Sequence, residues 1–203
     1  MDHAEIERLF TGPEGYLFAR WGRPLAPVVF GVDDATLSTV KGAIEAVVRL
    51  AGHDMAETDP ELGSNCMVFF CRDWQELADL PDLDRLIPDL ADLVPRLEAE
   101  EAQHYRLFRF DAQGAIRAVF TFIRIAGETA RMAAEDLALT QAVQMILLWG
   151  PEAFSARSPL ARAGGTVVLR PDIAALVRAG YDPVMPAVAR DPSHALRLAA
   201  RIG

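Results

Sequence analysis

The sequence predicts an α+β fold: a small mixed β-sheet with a β-α-β start, a later β-hairpin, one long core helix and a helical C-terminal part. Three observations carry that expectation. The short β-branched run Ala26–Val32 leads through an amphipathic helical stretch to a second apolar run, "CMVFFC", as a parallel β-α-β unit does. Two alternating runs, "HYRLFRF" and "AIRAVFTFIRI", flank the turn "DAQG". The stretch Glu128–Trp149 is mostly apolar with helical spacing, and further helical segments follow it. A chain of 203 residues supports one core that buries roughly 70% of the unfolded surface. Residues 1–203 are therefore expected to form a single domain.

In chain order, residues 1–20 hold a short helix, "AEIERLF", and a loop rich in Gly, Pro and aromatics. Asp33 or Asp34 caps the next helix, Leu37, Val40, Ile44, Val47 and Val48 line its apolar face, and Gly52 stops it. Cys66 and Cys71 lie five apart on a strand, so they point to opposite faces and should neither bridge nor share a metal. Both read as small buried hydrophobes. Residues 80–101 form an acidic flap in which "LPDLDRL", "IPDLADL" and "VPRLEAE" repeat with Pro81, Pro88 and Pro95 in one phase. Proline at that spacing predicts short helical turns, each beginning near a proline and laying leucines on the body. The hairpin's alternation predicts one buried and one wet face, with Arg106, Arg109, Arg117 and Arg124 on the latter. After Gly150 the chain reads as loops and short helices.

Composition excludes several chemistries. A formal net charge of −9 and a pI near 4.9 oppose the cationic surface on which nucleic-acid binding depends. No apolar run is long enough for a membrane span, because Arg131, Glu135 and Asp136 interrupt the best candidate. The start, "MDHAEIERLF", has no signal-peptide pattern. The expectation is a cytoplasmic protein, or an exported one if the native chain begins earlier. Lys41 is the single lysine and follows no glycine-rich phosphate loop. His3, His53, His104 and His194 are scattered, without partners at metal-ligand spacing. No metal and no cofactor is expected. Charge is uneven: Arg72–Glu101 carries ten acids and three arginines, Arg157–Arg201 seven arginines and three aspartates. That asymmetry reads as internal or oligomeric complementarity.

On a helical wheel, Asp136, Thr140 and Gln144 form a polar stripe with Gln141 at its margin. Glu135 falls among Met132, Ala138, Leu139, Ala142 and Ile146 on what should be the most buried face. A carboxylate there must be paired, protonated or used.

From "WGRPLAPVVFGVDD" through "RLAGHDM", "SNCMVFF", "DAQGAIRAVFTFI", "EDLALTQAVQM" and "GYDPVMP", about residues 21 to 190, the chain resembles the bacterial domain-of-unknown-function family numbered 2927. The resemblance implies a zincin-like fold whose long helix carries a Glu-Glu-Leu-Thr-Gln-like segment where zinc proteases carry His-Glu-x-x-His. Thr140 and Gln141 match the family's Thr-Gln, and Tyr181, Asp182 and Pro183 match its Tyr-Asp-Pro. Glu135 and Asp136 match its acidic pair only with two extra residues before Thr140. The family's usual cysteines around this region are absent, so the chain looks like a divergent member. In a zinc protease two histidines one turn apart hold Zn²⁺ while the glutamate activates water. With neither histidine, this chain is not expected to be a zinc metalloprotease.

The first functional expectation is a non-catalytic, metal-free binding module that takes a peptide or small molecule in a cleft beside the long helix, with Thr140, Gln141, Tyr181 and Asp182 as ligand-binding candidates. The second is a structural protein that forms a homo-oligomer through the 80–101 flap. The third is a metal-independent hydrolase with Glu135 or Asp136 as general base.

Overall fold

In the computed structural model, which describes residues 1–202, the chain opens with α1 (His3–Leu9), closed at its start by a reciprocal capping box between Asp2 and Glu5. A short pairing of β1 (Thr11–Gly12) with β2 (Gly15–Tyr16) leads to β3 (Phe18–Ala19). β4 (Pro27–Phe30), α2 (Asp34–Ala51) and β5 (Cys66–Cys71) make the β-α-β unit. Asp33 caps α2 by accepting from Thr36 N, and Gly52 ends it at φ +67°, which a side chain would resist. The flap contributes α3 (Leu83–Leu86) and α4 (Leu90–Ala99), and the hairpin is β6 (His104–Phe110) with β7 (Ile116–Arg124). α5 (Ala134–Ile146), the hairpin β8 (Leu160–Ala163) and β9 (Thr166–Leu169), α6 (Pro171–Gly180), β10 (Val188–Ala189) and α7 (Ser193–Ile202) complete an α+β fold. β10 returns to pair with β3.

The main sheet has the order β4-β5-β7-β6, parallel except for β6, which runs antiparallel to β7. One face carries α2 and α5, with Cys66, Val68, Val119 and Ile123 in that core. The other face carries the flap, where Trp74, Leu83, Leu90, Leu93 and Leu97 cover Phe120, Phe122 and Cys71. Cys66 and Cys71 thus lie in different cores, both free and buried. Burial raises their thiols to about 12 and about 11 respectively, so both stay protonated and inert near neutral pH. No helix among the described residues is long and apolar enough to cross a membrane.

Four expectations are corrected. The hairpin does not divide into one buried and one wet face: the flap packs on one side and the helices on the other, so β7 is buried along both faces while β6 stays partly exposed along its length. Arg109 donates to Leu86 O in the flap and Arg117 pairs with Glu61, while Arg106 turns inward to the α5 side. In the flap, helices begin just after Pro81 and Pro88, but Pro95 sits inside α4. The first two prolines are followed by Asp82 and Asp89 at positive φ, a conformation aspartate tolerates and which restarts the chain. Pro95 is followed by Arg96, so nothing breaks the helix, and the carbonyl that loses its donor belongs to the exposed Ala91.

The long helix is also shorter than Glu128–Trp149. Thr129–Arg131 is a separate 3₁₀ turn, Met132 and Ala133 are extended, and Leu147 leaves the helix. Glu135 therefore lies in the first turn of α5, beyond the core, and is exposed rather than buried. Finally, the segment after Gly150 contains a hairpin, β8–β9, turned by Gly164 and Gly165, both at positive φ. The Gly-Gly pair between "LARA" and "TVVL" was its sequence signal.

α5 ends without glycine, and its last carbonyls are paired by aromatic side chains instead. Trp149 Nε1 donates to Val143 O at 2.8 Å, Trp21 Nε1 to Met145 O at 2.8 Å, and the Tyr181 hydroxyl to Ile146 O at 2.8 Å. These are three of the four carbonyls that a helix end leaves without a partner. Tyr181 also accepts from Trp21 N at 3.3 Å. Tyr181→Phe is expected to lower stability by about 1–3 kcal/mol, because it leaves a buried acceptor and a buried donor unmet. Urea unfolding of the two proteins measures it.

A second expectation concerns pH. His194 is 3% exposed, its Nδ1 pairs with the Tyr16 hydroxyl at 2.7 Å, and its Nε2 is buried without a partner. Burial, and then the charges of Arg197 and Arg201, lower it from 6.5 to about 4. The unfolded chain binds the extra proton first, so this contribution is complete above the unfolded value and is lost as pH falls through the folded one, by roughly 3 kcal/mol. Thermal unfolding between pH 7 and pH ~4 should show the decline, and His194→Gln should shrink it.

Candidate functional site

The site is built around Arg106. β6 is an edge strand, and its alternation turns Arg106 toward α5. Gln141 and Gln144, three residues apart on α5, are neighbours on the helix surface. Arg106 Nη2 donates to Gln141 Oε1 at 2.6 Å and to Gln144 Oε1 at 2.7 Å. Nε is buried with no acceptor. Among the described residues no acid forms an ion pair with Arg106. Burial pulls the guanidinium down to about 10, so it remains charged at neutral pH. A chain with 29 acids holds this partly buried cation with neutral amides only, although a charge drawn out of water usually requires a counter-ion.

Arg106 opens onto a cleft of about 420 Å³ between β6 and the end of α5. His104 and Phe108 line it on the side of the sheet, and Gln144, Leu148, Trp149 and Phe154 on the other. Surrounding protein, and then the Arg106 charge, lower the His104 pKa. Trp149 is held by its bond to Val143 O, stacks on Phe10 at 5.1 Å between centroids and meets Phe154 edge-on at 4.9 Å. The wall is fixed before any ligand arrives, and its volume suits a small molecule or a side chain.

A larger cleft of about 740 Å³ lies at the carboxyl ends of β4, β5 and β7. Three of its polar side chains are already engaged, and Arg72, which also lines it, is an exposed surface side chain. Asp33 caps α2, Glu76 accepts from Arg72 N and Asp73 N, and the Thr129 hydroxyl bonds the Arg124 and Ala126 carbonyls. Its one thiol, Cys71, is protonated. The smaller cleft has the stronger chemistry, because its cation is partly buried, held in place by two amides and set beside an aromatic wall.

The structure separates the residues that the sequence grouped. Asp136 pairs with Arg162 at 3.6 Å, and Thr140 donates to Asp136 O at 2.8 Å, both beside the β8–β9 hairpin. Glu135, with Asp136, complements the start of a helix whose N-cap, Ala133, offers no side-chain bond. Gln141 lies beneath the Arg106 cleft. Tyr181 is committed to Ile146 O and Trp21 N, and Asp182 bonds Val184 N and pairs with Arg201. His53 bonds Arg23 O at 2.8 Å. Arg106, Trp149 and Phe154 were not singled out as site residues; the pair Gln141 and Gln144 on an apolar helix face was the available signal that a polar partner must oppose them. Among the described residues no three metal-ligating side chains come together. The chain matches no protein-family model, no curated protein and no solved structure.

If Arg106 is held for a ligand rather than for the fold, removing it with its partner should not weaken the protein. Gln141→Leu alone is expected to cost about 1–3 kcal/mol, because Arg106 keeps its charge and loses an acceptor. The double variant Arg106→Met, Gln141→Leu should regain or exceed the native stability in urea unfolding. A double variant weaker than Gln141→Leu would make Arg106 structural.

Proposed function

We propose that the protein is a non-catalytic binding module that works without metal, with the cleft between β6 and α5 as its site and a peptide or small molecule as its ligand. The observation that carries this reading is Arg106, a charged group at the cleft with neutral amides as its hydrogen-bond partners. The outer edge of β6 adds backbone donors and acceptors along the same cleft, which an extended peptide can pair with. The zincin-like scaffold implied by the resemblance to the family numbered 2927 belongs to this reading, supported by a core helix standing beside an open cleft. The hydrolase reading has less support, because Glu135 is exposed, Asp136 is paired, and neither lines the Arg106 cleft.

Self-association through the flap has its own observation. An apolar groove of about 410 Å³ runs between the flap and the β4 edge, where Phe30, Leu80 and Leu86 are 46%, 40% and 44% exposed. Sedimentation at rising concentration reads that alternative.

The binding reading is tested with ¹⁵N-labelled protein, purified without chelator, and a mixture of short peptides with free and blocked ends. Resonances of residues 104–108 and 148–155 should shift while the peptides stay intact. Stoichiometric bound zinc, peptide turnover, or an unperturbed cleft would each overturn it.

A further inference from the structure

We propose that the ligand group held over Arg106 is a carboxylate attached to an apolar, preferably aromatic body. The inference rests on the binding-module reading and adds the chemistry of the ligand. Nη2 spends both its protons on Gln141 and Gln144, and Nε is buried beyond reach. Nη1 is left with two protons to offer to the cleft that Arg106 lines. The glutamine oxygens also fix the guanidinium in place, so little side-chain entropy remains to be lost on binding. The missing partner is an anion, because the cation is partly buried beside neutral amides without a counter-charge.

A singly charged carboxylate fits better than a phosphate. Arg106 is the cleft's one lasting cation, since the lowered pKa of His104 leaves its ring uncharged near neutral pH. Phosphate at that pH carries up to two charges and three acceptor oxygens, more than one half-spent guanidinium can neutralise. Phe108 beside Arg106, and Trp149, Phe154 and Leu148 across the cleft, ask for an apolar body. The end of a peptide and a free organic acid share this chemistry.

Three probes separate the possibilities: N-acetylphenylalanine, its neutral amide, and 3-phenylpropionate, each titrated into the ¹⁵N-labelled protein while the three tryptophan indole signals are followed. Trp21 and Trp74 are fully buried elsewhere and should stay still, whereas Trp149 reports the cleft. Both acids are expected to shift Trp149, and the amide to bind about tenfold to a hundredfold more weakly, the range of a hydrogen bond to a charged group. Arg106→Gln should erase that preference. The acid-to-amide ratio in the native protein carries the test without any variant, should Arg106→Gln not fold. Stronger binding of N-acetylphenylalanine than of phenylpropionate identifies a peptide end, and equal binding a free acid. Equal binding of the amide at Trp149 would overturn the carboxylate while leaving the cleft as a binding site. A still Trp149 with all three probes would overturn the inference too, and the peptide mixture then decides whether the cleft binds anything.

Discussion

The carbonyls at the end of α5 have to be paired inside the protein, and much of the molecule is arranged by the way this is done. Trp21 reaches them from the segment before the main sheet, Tyr181 from the turn after α6, and Trp149 from the chain leaving α5. Each bond ties a different part of the sequence to the same helix end. The third also holds the Trp149 ring upright as a wall of the Arg106 cleft. A glycine-terminated helix would have met the same backbone requirement locally, with no need for distant aromatics and no rigid wall.

Arg106 is the opposite case, a polar group for which the fold makes incomplete provision. Asp59 shows what complete provision looks like. It is 4% exposed, and although burial raises its pKa, hydrogen bonds from Leu62, Glu61, Asn65 and Arg23 together lower it. Asn65 in turn accepts from Ala26 N and donates to Pro24 O and Asp59. That cluster is closed, and it braces the loop before β5. The Arg106 group stays open on one side, with a preorganised apolar surface facing it. Closed clusters stabilise, whereas an open charge beside a cavity is a cost that binding can offset.

Most of the framework was legible from residue order. The β-α-β unit with its Asp33 and Gly52 ends, the β6–β7 hairpin, and the separation of Cys66 from Cys71 follow from local spacing, which a side chain obeys wherever the element sits. The misreadings share a different origin. Glu135 was assigned to the core because its wheel angle matched buried neighbours, yet the start of α5 is exposed. Arg106 was assigned to one wet face together with Arg109, yet the two lie three apart on β6, one turned to α5 and the other to the flap. In both cases local spacing was read without the elements that pack against it.

By itself, then, the sequence determined the α+β class, the start and end of α2, the proline-punctuated flap and the lack of any phosphate loop or histidine pair, because these depend on residues close together in the chain. Only the tertiary structure decided which polar side chains meet. Gln141 and Arg106 are 35 positions apart, and nothing in local spacing says that a strand arginine and a helix amide will share a buried layer. The physical reason is that period and propensity set the direction of a side chain, whereas burial and pairing depend on what the rest of the chain packs against it.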